Sequence, residues 1–358
     1  MPLNRPQKKP QPPSDLGKIK SIVAVASCKG GVGKSTIAAM IAYELAKDGH
    51  KVGLLDADIF GPSIPTLFGI HKTHIYLDDQ KRIIPYEHDS LKIMSFGFLT
   101  GDSPAIMRGP IVSNYIQQLI HQTAWGELDY LFIDMPPGTG DIQLTITQTA
   151  RLTGAIIVTT PHTLSLVDVA KGILMFEKVD VPIIGLVENM SYFECDGCHK
   201  QHDIFGTGSK HLADRFGIDI IQKLPIVTND KKSIFDIFTK EMLESLRNHT
   251  LHALDNKEGS KKEIPNVSFD AQNISLSWPD KTTLKIENRT LRLSCGCALC
   301  MDEITGKAIL KAEGIPDDIR AEEISPLGNY AISIKWSDGH SSGIYPYRHI
   351  RSLVQSST

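Results

Sequence analysis

From Ser21 to Thr36 the chain reads SIVAVASCKGGVGKST. Small and branched apolar residues run into a glycine-rich turn, and the turn runs into a segment with helical spacing. This is the strand–loop–helix setting of a phosphate-binding loop, G-x-x-x-x-G-K-[ST]. Counting back from Gly33-Lys34-Ser35, the first glycine of that pattern falls on Cys28, and a second lysine, Lys29, follows it. Gly30, Gly31, Val32 and Gly33 would turn successive backbone N–H groups toward phosphate oxygens, and the helix N-terminus adds its dipole. Lys34 is placed to reach β- and γ-phosphates, Ser35 to bind Mg2+ through its hydroxyl, and Thr36 to meet an α-phosphate. A plain glycine turn before a core helix is the alternative, and the agreement of strand, loop and helix argues against it.

Outward from the loop, the same alternation continues to about His252. Lys51–Asp56, Asp129–Asp134, Gly154–Thr160 and Pro182–Asn189 read as strands buried on both faces of a parallel sheet. Thr36–Lys47 places Ile37, Ile41 and Leu45 on one helical face, and Leu164–Val179 and Ser233–Leu251 are similar. The expected fold class is α/β: a doubly wound, mostly parallel sheet, with a second, smaller, mostly β domain at the C-terminus. The domain reading is a disordered tail over 1–17, a loop-bearing domain over 18–254, a charged linker over 255–265 and the small β domain over 266–358. In that last part Ile274–Trp278, Thr282–Glu287, Ala331–Trp336 and Gly343–Tyr347 show period-2 patterning, and Ser337–His340 carries an Asp-Gly turn.

Composition narrows the function classes. Hydrophobic residues make up 41%, charged residues 22%, and the net charge is −3, so no basic footprint for nucleic acid stands out. No apolar run approaches the roughly 18 residues of a spanning helix. The proline-rich, basic opening MPLNRPQKKPQPPSD has no apolar core of a signal peptide. The expectation is therefore a cytoplasmic protein, or one of an organelle stroma or matrix with a trimmed transit peptide. In a reducing compartment its six cysteines serve as ligands or nucleophiles more readily than as disulfides.

Four polar residues stand at the ends of three strands, where such sheets face their ligand crevice. Asp56 and Asp58 follow one strand in LLDADIFGPSIP, Asp134 ends YLFID, and Asn189 ends GLVEN. Caps and turns are the plain alternatives for single Asp and Asn residues.

The two-lysine loop KGGVGKST resembles the deviant Walker A loop of the family that includes MinD, ParA, the nitrogenase iron protein and the Mrp/Nbp35 ATPases. The resemblance implies that Lys29 reaches across a dimer interface to the partner's nucleotide, as an arginine finger does. It also implies that Asp58 orients or activates the attacking water, that Asp134 holds Mg2+ through water, that Asp56 supports the same shell, and that Asn189 recognises adenine. Cys28 departs from the family's glycine or alanine and reads as a buried, inert thiol. DADIFGPSIPTLFG (56–69), RGP (108–110), WGELDYLFIDMPPGTGD (125–141), ENMSYFECDGC (188–198) and DIFGTGS (203–209) resemble the Mrp/Nbp35/ApbC branch. That likeness implies an ATP-dependent iron–sulfur cluster carrier, with cluster scaffolds as donors, apo-proteins as recipients and no nucleic-acid or membrane partner. Here the double glycine after IFG is Gly208-Ser209, and the reading expects a proline-rich tail where many members carry a small N-terminal domain.

By the same resemblance Cys195 and Cys198 hold the cargo. One chain offers two thiolates there, and a [4Fe–4S] cubane commonly takes four. Two chains about a two-fold axis supply four, so this pair and Lys29 both ask for a homodimer. The alternatives are a one-chain zinc site with His199 or His202, thioredoxin-like chemistry, a c-type haem attachment through Cys198-His199, and an unliganded turn.

Cys295-Gly-Cys297-Ala-Leu-Cys300 packs three thiols into six residues. LSCGCALC followed by WSDGH resembles the N-terminal domain of γ-butyrobetaine hydroxylase-like proteins and the domain appended to plastid HCF-type Mrp proteins. The resemblance implies structural Zn2+ on Cys295, Cys297, Cys300 and His340; a second iron–sulfur site and free thiols are the alternatives. Two rival functions remain: a positioning switch of the MinD/ParA type, and a metal-binding scaffold without turnover. The switch would call for a C-terminal amphipathic helix, and YPYRHIRSLVQSST is read as lacking one.

Overall fold

The structure is a computed structural model, and it describes the chain except for residues 1–13, 60, 71–72, 101–108, 139, 196, 207–208, 210–212, 214–215, 228–237, 260–263, 298, 302–307, 328–330 and 357–358. Most of the tail, Arg108 of RGP, Gly208, the first turn of the helix expected from Ser233 and part of the linker lie outside the described residues.

The chain forms two compact units, one built mainly on Lys34–Thr153 with the strand that precedes the loop, the other on Ala26–Gly33 and the chain from Gly154 onward. The first contains β1 (Ile19–Ala26), α1 (Lys34–Lys47), β2 (Val52–Asp56), α2 (Ile64–Leu67), β3 (Tyr86–His88), β4 (Leu91–Ser95), α3 (Gly97–Thr100), α4 (Gly109–Gln122), β5 (Leu128–Asp134) and α5 (Asp141–Ala150). Its strands lie in the order β1-β5-β2-β4-β3. All pairings are parallel but the last, which closes the edge antiparallel. Every residue of β2 is buried, as double coverage of a parallel sheet requires. Gly53 is needed at its centre: a Cβ there would stand 2.8 Å from Leu128 and 3.0 Å from buried Trp125. The register sets Asp56 beside Asp134 at the carboxyl ends of adjacent strands. Helix α1 buries Ile37, Ile41 and Leu45 as expected, and also Ala38, Ala39, Met40 and Ala42. It is thus apolar nearly all round, as a helix enclosed by protein is.

The second unit contains β6 (Gly154–Thr159), α6 (Thr163–Lys178), β7 (Ile183–Glu188), β8 (Phe193–Glu194), β9 (Gln201–His202), β10 (Ile220–Lys223) and α7 (Lys240–Gly259). Strands β6, β7 and β10 are parallel neighbours. Helix α7 runs to Gly259 and so carries into the stretch read as linker from 255. Asp255–Glu258 is charged but holds no breaker, and the helix ends where glycine first stands.

C-terminal to this, β11 (Asn266–Phe269), β12 (Asn273–Ser277) and β13 (Thr283–Glu287) form one antiparallel meander, followed by α8 (Asn288–Leu293). A second meander, β14 (Ala321–Leu327), β15 (Ala331–Trp336) and β16 (Ile344–Pro346), leads into α9 (Tyr347–Ser356). Pro346 lies on the edge strand, where a missing N–H breaks no ladder. The two meanders share one core of Ile274, Leu276, Ile286, Ile334, Trp336 and Tyr345, which also takes in Cys295, Cys297 and Cys300. Helix α9 corrects the expectation that the chain lacks an amphipathic C-terminal helix. Tyr347 and Ile350 are buried in that core, and Leu353 and Val354 pack against it. The single Pro-Tyr step hid a periodic run directly behind it, and its apolar stripe is used within the domain. Among the described residues, no helix is long and apolar enough to cross a membrane.

Candidate functional site

The loop leaves β1 and enters α1 with Gly31 and Gly33 at φ of 78° and 85°, values that glycine adopts without strain. Gly33 is constrained twice over, since an added Cβ would meet Asn189 Nδ2 at 2.3 Å. That amide also donates to the Val32 carbonyl at 3.0 Å. Asn189 is therefore a brace beneath the loop, a role its position at a strand end did not disclose. Lys29 is exposed, and the Ser27 hydroxyl donates to its carbonyl at 2.9 Å. Cys28 packs against α6 where a Cβ on Gly172 would stand 2.1 Å from its sulfur. Cys28 is half-buried where a buried thiol was expected, and burial pushes its thiol up to about 11.

In the first unit Lys34 is buried and its ammonium forms a close ion pair with Asp134, with Ser35 Oγ accepting a further bond at 3.3 Å. Asp56 is buried completely and both its oxygens are engaged. One accepts from the Asp58 N–H at 3.2 Å; the other accepts from the Ile64 N–H at 3.1 Å and from Ser95 Oγ at 3.0 Å. It pins the segment after β2 and so sets where Asp58 stands. Burial first, then the Asp134 charge, pushes the Asp56 carboxyl up to about 7. Burial raises Asp134 as well, against the lowering pull of Lys34. Asp58 Oδ1 and Asp134 Oδ2 are both buried and have no hydrogen-bond partner among the described residues. Orphaned carboxylate oxygens are costly; the one on Asp134, whose carboxyl also meets Ser35, fits a hard divalent cation such as Mg2+, and the one on Asp58 fits a hydrogen-bond donor such as water. Ser95, which carries no motif, is the supporting residue that sequence reading missed.

Cys195 and Cys198 occupy the tip of the β8–β9 hairpin. Phe193 pairs with His202 and Glu194 with Gln201. The turn closes through Cys195 N–H to Lys200 O at 3.1 Å and His199 N–H to Cys195 O at 2.8 Å. His199 takes the left-handed conformation, φ 55°, that the reversal demands. Cys198 is exposed and Cys195 half-buried, and no disulfide joins any of the six cysteines. The hairpin does not gather a one-chain metal site with His199 or His202: among the described residues, one Cys/His/carboxylate group of three or more converges, and it lies in the C-terminal domain.

That group is Cys295, Cys297, Cys300 and His340, with ligand atoms all within 4.8 Å of one another. His340 Nε2 stands 3.3, 3.5 and 3.8 Å from the three sulfurs. Tetrahedral ligation at ordinary zinc–sulfur and zinc–nitrogen lengths sets each such separation at about 3.6 Å. The turn after α8 supplies the sulfurs, and the β15–β16 connection supplies the histidine. Burial pushes the Cys295 thiol up to about 12. Burial also works against the Cys297 thiolate, but donors led by Ser342 outweigh it and its pKa falls. Arg292, Asp338, Ser342 and Tyr345 surround the group; of these only Asp338, in the SDGH turn, had a sequence signal.

Two family descriptions match the chain. Residues 18–252 match the ParA-type family described as NUBPL iron-transfer P-loop NTPase, and residues 266–351 match the γ-butyrobetaine hydroxylase-like N-terminal family. The chain is 42% identical over 98% of its length to the chloroplastic Fe-S cluster assembly factor HCF101 of Oryza sativa, and covers 67% of that protein. It is 46% identical over 59% of its length to the iron-sulfur cluster carrier protein of Escherichia coli, and covers 58% of it. Thus it spans about two thirds or less of the length of these relatives. A nucleotide-binding protein from Archaeoglobus fulgidus, solved with ADP, is similar over 68% of this chain and 90% of its own, at 39% identity and a TM-score of 0.53.

Proposed function

The chain belongs to the family of NUBPL iron-transfer P-loop NTPases, and from that premise we propose that it hydrolyses ATP and carries an iron–sulfur cluster between two copies of itself. The cluster would come from a scaffold donor and pass to apo-proteins. The observation that carries this reading is the hairpin tip, which sets an exposed Cys198 beside a half-buried Cys195 and, among the described residues, joins no group of three or more metal-ligating side chains. A [4Fe–4S] cluster held by four thiolates then needs the same tip from a second copy.

The loop residues Gly30, Gly31, Val32, Gly33, Lys34, Ser35 and Thr36 would cradle the phosphates. Asn189 supports this by fixing the loop's shape through its bond to the Val32 carbonyl. Lys34, paired with Asp134 in the structure, would exchange that carboxylate for the β- and γ-phosphates. Mg2+ fits Ser35 and the orphaned oxygen of Asp134, and supplies neutralisation of phosphate charge there. Asp58 would orient the attacking water with its own orphaned oxygen, while Asp56 holds the backbone that places it. Exposed Lys29 is free to act on a partner's nucleotide. Coupling to cargo requires that ATP and cluster each bind the two dimer states with different affinity.

For Cys295, Cys297, Cys300 and His340 the spacing supports a single tetrahedral zinc ion over a cluster. A cubane's ligands sit on separate irons and must stand farther apart than ligands on one ion.

Anaerobic reconstitution with iron and sulfide tests the reading. Wild type should bind iron and sulfide with cluster absorbance, a Cys195→Ala/Cys198→Ala variant should bind neither beyond background, and zinc should be unaffected in both. Equal cluster loading in the double variant would defeat the assignment. A separate ATPase assay of Asp58→Asn addresses the scaffold alternative, which expects no change in turnover.

A further inference from the structure

We propose that Arg292, Ser342 and Tyr345 form a donor shell, one group for each sulfur, that makes the C-terminal site keep its metal ion. The inference rests on the single-ion reading of Cys295, Cys297, Cys300 and His340 given above.

Three thiolates around a divalent ion and a neutral imidazole leave one net negative charge, and such a charge inside a domain core costs free energy unless it is compensated. Arg292, 4% exposed, brings Nη1 to 3.3 Å from Cys300 Sγ. Its Nε donates to Asp338 Oδ2 at 2.9 Å, and Asp338 Oδ1 accepts the His340 N–H at 3.0 Å. One carboxylate thus ties the guanidinium to the turn that carries the histidine. Ser342 Oγ donates to Cys297 Sγ at 3.3 Å. Tyr345 bonds Cys295. The direction of that last bond is fixed. Trp336 Nε1 is a donor only, and it gives its hydrogen to Tyr345 Oη at 2.9 Å, which leaves the phenol hydrogen for the sulfur. Gly343 keeps the pair together, since a Cβ there would stand 2.8 Å from the phenol oxygen and 2.9 Å from Cys295 Sγ.

A hydrogen bond to a thiolate draws electron density from the sulfur and lowers its nucleophilicity. Three such bonds, one a charge-assisted contact, make each sulfur slower to be alkylated; by offsetting the site's negative charge and fixing the sulfurs in place, they also slow loss of the ion. Exposed Cys198 lies at the opposite extreme, on a surface turn. One chain would then hold one metal for good and hand another on.

The test uses the full chain loaded with zinc. Release to a chromogenic chelator and iodoacetamide alkylation, mapped cysteine by cysteine, are measured for wild type, Arg292→Met, Arg292→Lys, Ser342→Ala and Tyr345→Phe. Arg292→Met should speed release by about 10- to 100-fold, with Arg292→Lys between it and wild type. Each variant should sensitise its own sulfur first: Cys300, Cys297 and Cys295 respectively. With cobalt in place of zinc, removal of a donor should move the sulfur-to-metal charge-transfer band to longer wavelength. Arg292 is buried and its loss can impair folding, but Ser342 is exposed and Tyr345→Phe removes a single oxygen, so those two variants decide the matter. Unchanged rates and bands in both, or equal sensitisation of all three sulfurs, would overturn the donor shell while leaving the single-ion site intact. A wild-type chain that retains no zinc or cobalt would overturn both.

Discussion

Gly33 carries two constraints at one position, a positive φ and the Asn189 amide within 2.3 Å of any added Cβ. Gly33→Ala should cost about 1–3 kcal/mol of stability and abolish nucleotide binding, measured by denaturant melts and by titration with a fluorescent ATP analogue. Asp58→Asn should leave nucleotide affinity near wild type and lower turnover by at least about 100-fold, because it removes the residue set beside the water and not the phosphate cradle. Asp56 gives a pH signature. Its carboxyl titrates near 7 in the folded chain against an ordinary 3.8. Between those values the folded state holds a proton that the unfolded state has lost, so stability falls as pH rises from about 4 to about 7 and levels above. Asp56→Asn cannot titrate, and its melts should show a shallower slope across that window. The positions of Lys34, Asp58 and Asp134 at the loop and after buried strands were legible from the motif and the apolar runs. The bracing of Val32 by Asn189 and of the Asp58 segment by Asp56 and Ser95 was not legible, because each depends on residues brought together by strand register.

At the scale of elements, α6 holds a glycine mid-helix, which costs about 1 kcal/mol against alanine unless packing needs it. Here Cys28 supplies the need, with its sulfur 2.1 Å from where the Cβ would be. Gly172→Ala should destabilise by about 1–3 kcal/mol, and Cys28→Ala in the same chain should recover most of that loss. Thermal melts of the two single variants and the double variant check the coupling. The long buried strands β1, β2, β5, β6 and β7 were legible from apolar runs alone. Helix α5 was not: DIQLTITQTA is rich in Thr and Ile and reads poorly as helix, yet it buries Ile146 and Ala150. Helix α9 was passed over because Pro346 stands immediately before it. Its Tyr347 stacks edge-on against Trp278 with centroids 6.2 Å apart, and Arg351 lies 4.2 Å from that same ring. The helix therefore belongs to the core of the small domain and is not a free amphipathic anchor.

For the whole molecule, two metal stations have opposite characters. The C-terminal one is interior, and its three cysteines count among the residues that make the domain's core. Stripping its ion with a strong chelator should melt that domain at lower temperature and leave the unfolding of the loop-bearing region in place, two transitions that calorimetry separates. In the proposed reading the other station is half of a site. Its sequence, Cys195-Asp-Gly-Cys198, names the two thiols of the proposed ligand set. On that reading a second chain completes them, which periodicity does not report. Native mass spectrometry of the anaerobically reconstituted chain addresses this most directly. The expected species is two chains with four irons and four sulfides, lost together in Cys195→Ala/Cys198→Ala. A single chain that carries the intact cluster would contradict it.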